Sequence, residues 1–250
     1  MSPIINQSTN QPISIFPLGD SAACIDLGNN ISVEKNQKVL AIHQWLLLNP
    51  FAGIKDIIVA YCSLAIIYDP YILKKQIPLI SNAFEFVKLE LVAAYQQSGI
   101  GAETIKIPVN IPVCYDEAFG VDLAFISEQN NISIEKIIRL HTSKPYRVYM
   151  LGFLPGFPYM AEVDEQIAFP RKQKPVHVKA GSVGIAGIQT GIYPFDSPGG
   201  WNIIGQTPLC LFDSTIYPPA KLHPGDMVQF YQVTKNEFKK IELQNSPIQP

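Results

Sequence analysis

A chain of 250 residues that is 47% hydrophobic has room for two ordinary domains, each with a buried core. Its net charge of −2 at pH 7 excludes the basic footprint expected of a nucleic-acid binder. Its charged fraction of 16%, against about 25% in an average globular protein, fits a chain with one face covered by a partner protein. Residues 1–12 are polar, lack a basic-then-apolar leader, and read as a disordered tail. Ile13–Phe16 and Ala22–Leu27 are short β-type runs around a Leu18-Gly-Asp-Ser21 turn. Ser32 is placed to cap a helix reaching about Leu48, with Val39, Ile42 and Leu46 on its apolar face. Ile54–Tyr61 and Leu64–Tyr68 read as a second strand pair. Apolar residues at spacings of three and four from Leu73 to Ala94 then mark an amphipathic helix that Pro78 must start, kink or interrupt. This order predicts an α+β fold whose first domain, residues 13–101, is a small sandwich with both helices on one face.

From Thr104 the texture changes. Ile105–Val113 alternates as a strand whose prolines suit an edge. Helices are expected near Val121–Gln129 and Ile134–Leu140, the second capped by Ser133. Strand-like runs separated by Gly/Pro turns follow: Tyr146–Gly152, Val176–Lys179, Ser182–Ala186, Gly191–Tyr193, Asn202–Gly205 and Met227–Tyr231. Many short strands with frequent turns predict a closed or nearly closed β-barrel over residues 102–243, followed by a loose tail at 244–250. The longest apolar stretch, Ile57–Tyr68, is too short to span a bilayer, so no membrane role is expected. Cys24, Cys62, Cys114 and Cys210 lie far apart without metal-ligand spacing. They read as reduced core cysteines of a cytoplasmic protein, with no metal site.

The richest segment is 180–208. Its glycines are interleaved with Ser182, Gln189, Thr190, Ser197 and Asn202. Glycine lets a backbone approach a ligand closely, and successive N–H groups in such loops form anion-binding concavities. The segment therefore predicts a pocket built largely of main chain, binding a polar or anionic small molecule. Ser182, Gln189, Thr190, Ser197, Gly199, Gly200 and Trp201 are its expected lining. Phe153 and Phe157, on a loop stiffened by Pro155, Gly156 and Pro158, form either a wall of that pocket or a plug at a barrel corner. Arg171, Lys172 and His177 are the main cationic candidates, Arg171 and His177 being taken as the charges of the pocket, and Arg171 could clamp a carboxylate in bidentate fashion. His141, at a helix end, could cap carbonyls. No phosphate loop, dinucleotide fingerprint, nucleophile elbow or HExxH motif is present, and no nucleophile is assigned.

Gly152-Phe-Leu-Pro-Gly-Phe-Pro-Tyr159, Ala180-Gly-Ser-Val-Gly184, Gln189-Thr-Gly-Ile-Tyr-Pro194 and Ser197-Pro-Gly-Gly-Trp201 together resemble the B subunit of bacterial 5-oxoprolinase. That family includes the kinase-A inhibitor of sporulating bacteria and the first half of the allophanate hydrolase/urea carboxylase-type carboxyltransferase module. The match extends upstream to Leu18-Gly-Asp20, Ile111-Pro-Val-Cys-Tyr115 and His141-Thr142, and covers roughly Ile13 to Tyr231. The resemblance implies a small α+β domain followed by a cyclophilin-like barrel. It also implies two partners, the C and A subunits of 5-oxoprolinase, and ATP-dependent opening of 5-oxoproline to glutamate. In that scheme ATP is used by the complex, the B–C pair activates the lactam carbonyl by phosphorylation, and the A subunit completes hydrolysis. Inhibition of a sensor histidine kinase and a carboxyltransferase-like role on a urea-derived amide are the other family functions. A pure inhibitor would have no use for Gln189, Thr190 and Ser197. Two positions depart from the family pattern. An arginine usual soon after the proline matching Pro175 is replaced by Val176-His177, and the usual Gly-Arg-Thr-Pro reads Gly205-Gln-Thr-Pro208. Gln206 cannot supply the charge of an arginine.

Overall fold

A computed structural model describes residues 13–80, 82–99 and 106–245. The expected tail at 1–12, the boundary between 101 and 102, and most of the tail at 244–250 lie outside these residues. The described residues form two compact units, one on each side of the 104/105 boundary.

In the first unit, β1 (Ser14–Pro17), β2 (Ala22–Asp26), β3 (Ile54–Val59) and β4 (Ser63–Tyr68) form an antiparallel sheet of order β1-β2-β4-β3. Helix α1 (Val33–Leu48) starts where Ser32 Oγ accepts from Lys35 N. Its Val39, Ile42 and Leu46 join Ile25, Leu64 and Ile66 of the sheet in one core. The long helix expected from Leu73 is two helices, α2 (Pro70–Gln76) and α3 (Ala83–Gln97). Pro78 lies in the break, where its missing N–H would cost a helix one hydrogen bond. Pro70 opens α2 because the first helical turn needs no donor, and Asp69 accepts from Tyr71 N and Ile72 N. Asn82 restarts the chain as the cap of α3.

The second unit carries β5 (Val109–Val113), α4 (Leu123–Asn130), α5 (Ile134–Thr142), β6 (Tyr146–Leu151), β7 (Pro158–Ala161), β8 (Val176–Val178), β9 (Ser182–Ala186), β10 (Gln189–Ile192), β11 (Ser197–Gly199), β12 (Asn202–Gln206), β13 (Met227–Gln232) and α6 (Lys235–Asn245). Seven strands form a sheet of order β12-β9-β10-β7-β6-β13-β5. Its two ends meet. Cys114 and Gln206 exchange backbone hydrogen bonds of 2.9 and 3.0 Å in a single bridge, so the sheet is a nearly closed barrel. Inward residues from around the barrel, including Ile111, Val148, Met160, Ile185, Ile204 and Phe230, build one core, onto which α4 and α5 pack. A separate two-stranded ribbon, β8–β11, stands outside the barrel.

Three elements depart from expectation. β7 falls in the segment read as a Pro/Gly loop, because Pro158 sits at the first strand position, where a missing donor is tolerated. β11 occupies Ser197-Pro-Gly199, read as a turn, and pairs with β8 in a short ribbon. α6 was not expected and runs two residues past 243. Its start is a capping box in which Thr234 Oγ1 accepts from Glu237 N, while Glu237 Oε2 accepts from Thr234 N. Among the cysteines, Cys24 and Cys114 are buried, Cys62 is half-buried and Cys210 is exposed, so Cys210 is not a core residue.

Candidate functional site

Strands β9 and β10 decide the site, because successive side chains of a strand face opposite sides of the sheet. Val183, Ile185, Thr190 and Ile192 face the barrel core. Gly184, Ala186, Gln189 and Gly191 alternate with them and face outward.

Thr190 is therefore inside. Its hydroxyl donates to Gly184 O at 3.1 Å and lies 2.9 Å from His141 Nε2. His141 Nδ1 lies 2.8 Å from the Tyr115 hydroxyl. The imidazole is fully buried, stacked on Phe230 at 4.6 Å between ring centroids and on Tyr146 at 5.4 Å. Burial pushes its pKa down to about 3, so the ring is neutral and carries one N–H. With the Thr190 proton committed to Gly184 O, the network assigns that N–H to Nε2, and Nδ1 accepts from Tyr115. His141 does not cap carbonyls. It locks α5 to β10 from within the barrel.

The outward face is different in kind. Phe157 makes edge contacts with Tyr193 at 5.1 Å, Trp201 at 5.3 Å and Phe153 at 5.7 Å. Its ring covers Gly191, where an added Cβ would stand 2.9 Å from both Phe157 Cζ and Pro158 O. The backbone of Trp201 hydrogen-bonds the Tyr193 hydroxyl, while burial raises the pKa of that phenol. Phe157 and Tyr193 are fully buried and Trp201 nearly so, whereas Phe153 is 61% exposed. The cluster is thus packed, with Phe153 and the half-buried Tyr159 at its rim.

Arg171 lies beside this cluster on a segment held from several sides. Lys172 N donates to Gly200 O at 2.7 Å, and Asn202 Nδ2 donates to Pro170 O at 2.9 Å. Lys172 Nζ pairs with Asp122 Oδ2 at 2.7 Å, and the same oxygen accepts from Ile203 N at 2.6 Å. The guanidinium lies across Gly200, where a Cβ would meet Nη2 at 3.2 Å and Nε at 3.3 Å. The positive charge of Arg171 opposes the burial-driven rise in pKa of Tyr159 and Tyr193. Among the described residues no carboxylate pairs with Arg171.

The structure thus gathers Phe153, Phe157, Arg171, Gly199, Gly200 and Trp201. Ser197 joins them: it pairs across the ribbon with buried Val178 of the same cluster, and its buried hydroxyl has no hydrogen-bond partner. Gly199 abuts the Tyr193 hydroxyl. Ser182, buried at the start of β9, and half-exposed Gln189 share the outer face of their strands. Two expected residues stand apart. Thr190 is in the core, and His177 is on the opposite face of the ribbon from Val178, with Nε2 3.5 Å from Asp196 Oδ2 in the open. Gln206 is a backbone clip, donating from Nε2 to Ala180 O at 2.6 Å. Sequence reading gave Tyr193 and Asp122 no role, and Lys172, one of its cationic candidates, is paired with Asp122. Tyr193 was within reach, since counting by twos from Gln189 through Gly191 puts it on the outer face and Thr190 on the inner one.

A cleft of ≈ 490 Å³ opens elsewhere, lined by Cys114, Asp116, Thr234, Lys235 and Glu237. Its charges are already satisfied, since Lys235 Nζ pairs with Asp116 at 2.7 Å and Glu237 closes the capping box of α6. It holds none of the expected residues.

The second unit is thus a nearly closed barrel with a two-stranded ribbon and an aromatic outer cluster. The sequence model for "Carboxyltransferase domain, subdomain C and D" matches residues 13–222. A structure of Kluyveromyces lactis urea carboxylase superposes with a TM-score of 0.75 at 18% identity, over 98% of this chain and 24% of that one, which shows the shared fold. The solved structure of TTHA0988 gives a TM-score of 0.71 at 36% identity, over 85% of this chain and 40% of its own. The chain is also 42% identical to the B subunit of Bacillus subtilis 5-oxoprolinase, over 90% of its own length and 94% of that protein's. It belongs to the carboxyltransferase-domain family, subdomains C and D, and within that family it is similar to 5-oxoprolinase B subunits. Among the described residues no helix is long and apolar enough to cross a membrane.

Proposed function

We propose that this protein is the B subunit of an ATP-dependent 5-oxoprolinase. In that role it opens the cyclic amide of 5-oxoproline to glutamate, together with the C and A subunits, in the cytoplasm. The observation that carries this reading is the 42% identity to the Bacillus subtilis B subunit over 94% of that protein. The outer barrel face supports it. That face offers a guanidinium with no carboxylate partner among the described residues, aromatic edges and small residues, which suit recognition of a small anionic ring. It offers no activated serine or cysteine, so the chain contributes binding and orientation. A lactam resists water because its nitrogen delocalises into the carbonyl. Transfer of the γ-phosphoryl group of ATP to the carbonyl oxygen, with ADP leaving, removes that protection, and addition of water at the ring carbon with loss of phosphate and cleavage of the C–N bond gives glutamate. ATP is used by the complex, and the chain alone is inactive.

The test is ATP-dependent release of glutamate from 5-oxoproline by the three co-expressed proteins, omitting each in turn. Loss of release without this chain, together with no release by this chain alone, is the expected result. Full activity in its absence would overturn the assignment.

A further inference from the structure

We infer that Arg171 is the receptor for a small-molecule carboxylate on the outer face of the barrel, with Asp122, Lys172 and Asn202 as its positioning residues. The ring that carries the carboxylate, 5-oxoproline, rests on the function proposed above.

An arginine on an exposed loop ordinarily keeps its rotamer freedom, and ordering it costs up to about 2 kcal/mol. Here the backbone on both sides of Arg171 is fixed. Asn202 holds Pro170 O, Gly200 holds Lys172 N, and Asp122 ties the Lys172 ammonium to the backbone of β12. The exposed guanidinium lies close over Gly200, whose lack of a side chain permits that approach. Such fixation lowers the entropic cost of binding a planar anion at the remaining N–H groups. Lys172 is neutralised by Asp122, and Arg171 is the cation of this segment whose charge acts on Tyr159 and Tyr193 of the aromatic cluster. A carboxylate on a small ring seated against that cluster would meet the Arg171 guanidinium. The nearly buried indole of Trp201 directly follows Gly200, so it is placed to report occupancy.

The experiment uses the full chain in a Trp45→Phe background, leaving Trp201 as the only tryptophan. Fluorescence titrations compare 5-oxoproline, 2-pyrrolidinone (the same lactam without the carboxylate) and ATP. 5-Oxoproline is expected to bind at least about tenfold tighter than 2-pyrrolidinone, the worth of one charge-assisted pair. Arg171→Met should abolish that preference, and Arg171→Lys should restore part of it. Lys172→Met should weaken 5-oxoproline several-fold and leave 2-pyrrolidinone unchanged, an effect general loss of structure would not produce. Equal 5-oxoproline affinity in Arg171→Met and the parent overturns the inference, as does the absence of saturable 5-oxoproline binding. ATP binding that depends on Arg171 reassigns the site to phosphate and overturns it too. In the three-protein assay, an unchanged KM for 5-oxoproline with Arg171→Met rejects the receptor and leaves the proposed function intact. Turnover that does not need this chain rejects the proposed function itself.

Discussion

The two faces of strands β9 and β10 use neighbouring residues for opposite purposes. Inside, Tyr115, His141, Thr190 and the Gly184 carbonyl form one buried hydrogen-bonded chain. Outside, Gly184 and Gly191 carry no side chains of their own and are covered by Trp201 and Phe157, with Arg171, which has no carboxylate partner among the described residues, beside that cluster. A buried polar group is stable only when its hydrogen bonds are complete, whereas a recognition surface needs groups whose bonds are left to be made. The inner face therefore bears on stability, and the outer face is where binding is proposed.

Removing the inner lock should have the largest effect. His141→Ala leaves the Tyr115 and Thr190 hydroxyls without their ring partner and opens a cavity between Tyr146 and Phe230. A loss of about 3–5 kcal/mol is expected, read as the shift in a urea transition followed by Trp201 fluorescence. A loss below about 1 kcal/mol would mean the network contributes little and the contrast between the faces fails.

Gly191→Ala attacks the outer packing instead. The new methyl group meets the Phe157 ring and Pro158 O, and overpacking of this kind costs about 1–3 kcal/mol. Unchanged stability would show that the aromatic cluster yields freely.

The inner lock also has a pH signature. His141 has a pKa of about 3 in the folded barrel against 6.5 for the free group, so between these values only the unfolded chain takes up its proton. Its contribution is complete above pH 6.5 and is lost as the pH falls toward 3. His141→Gln should therefore shrink the loss of stability between pH 7 and pH 5 by about 1–2 kcal/mol. Identical pH slopes in the two proteins would contradict a buried neutral imidazole.

Ser197→Ala should have the smallest effect. The hydroxyl is buried without a partner, so its removal is expected to change stability by less than about 0.5 kcal/mol or to raise it slightly. A loss beyond about 1 kcal/mol would reveal a bond that the static structure does not contain.

Much of the architecture was legible because it rests on local chemistry. Ser32 and Ser133 announce helix starts by satisfying N–H groups within their own turn, and the Thr234-x-x-Glu237 box announced α6 to a reader looking for it. The glycines of 180–205 were legible as places of close approach. What approaches them was not. Phe157 reaches Gly191 and Arg171 reaches Gly200 only because strands distant in sequence are paired, and nothing in the sequence near Gly200 specifies a guanidinium. Thr190 was misplaced because it shares a motif with Gln189, although a strand turns adjacent residues to opposite faces.

By itself the sequence determined the family, the succession of an α+β unit and a barrel, and the position of the glycine-rich strands. Each depends on residue type and short-range spacing. Only the tertiary structure decided that His141 is a core lock, that Trp201 and Phe157 are packed, and that the backbone flanking Arg171 is tied to Asn202, Gly200 and, through Lys172, Asp122. The physical reason is that hydrogen bonding and burial are set by whichever groups the fold brings within a few ångströms. Asp122 and Ile203, joined by a 2.6 Å bond, are 81 residues apart in the chain.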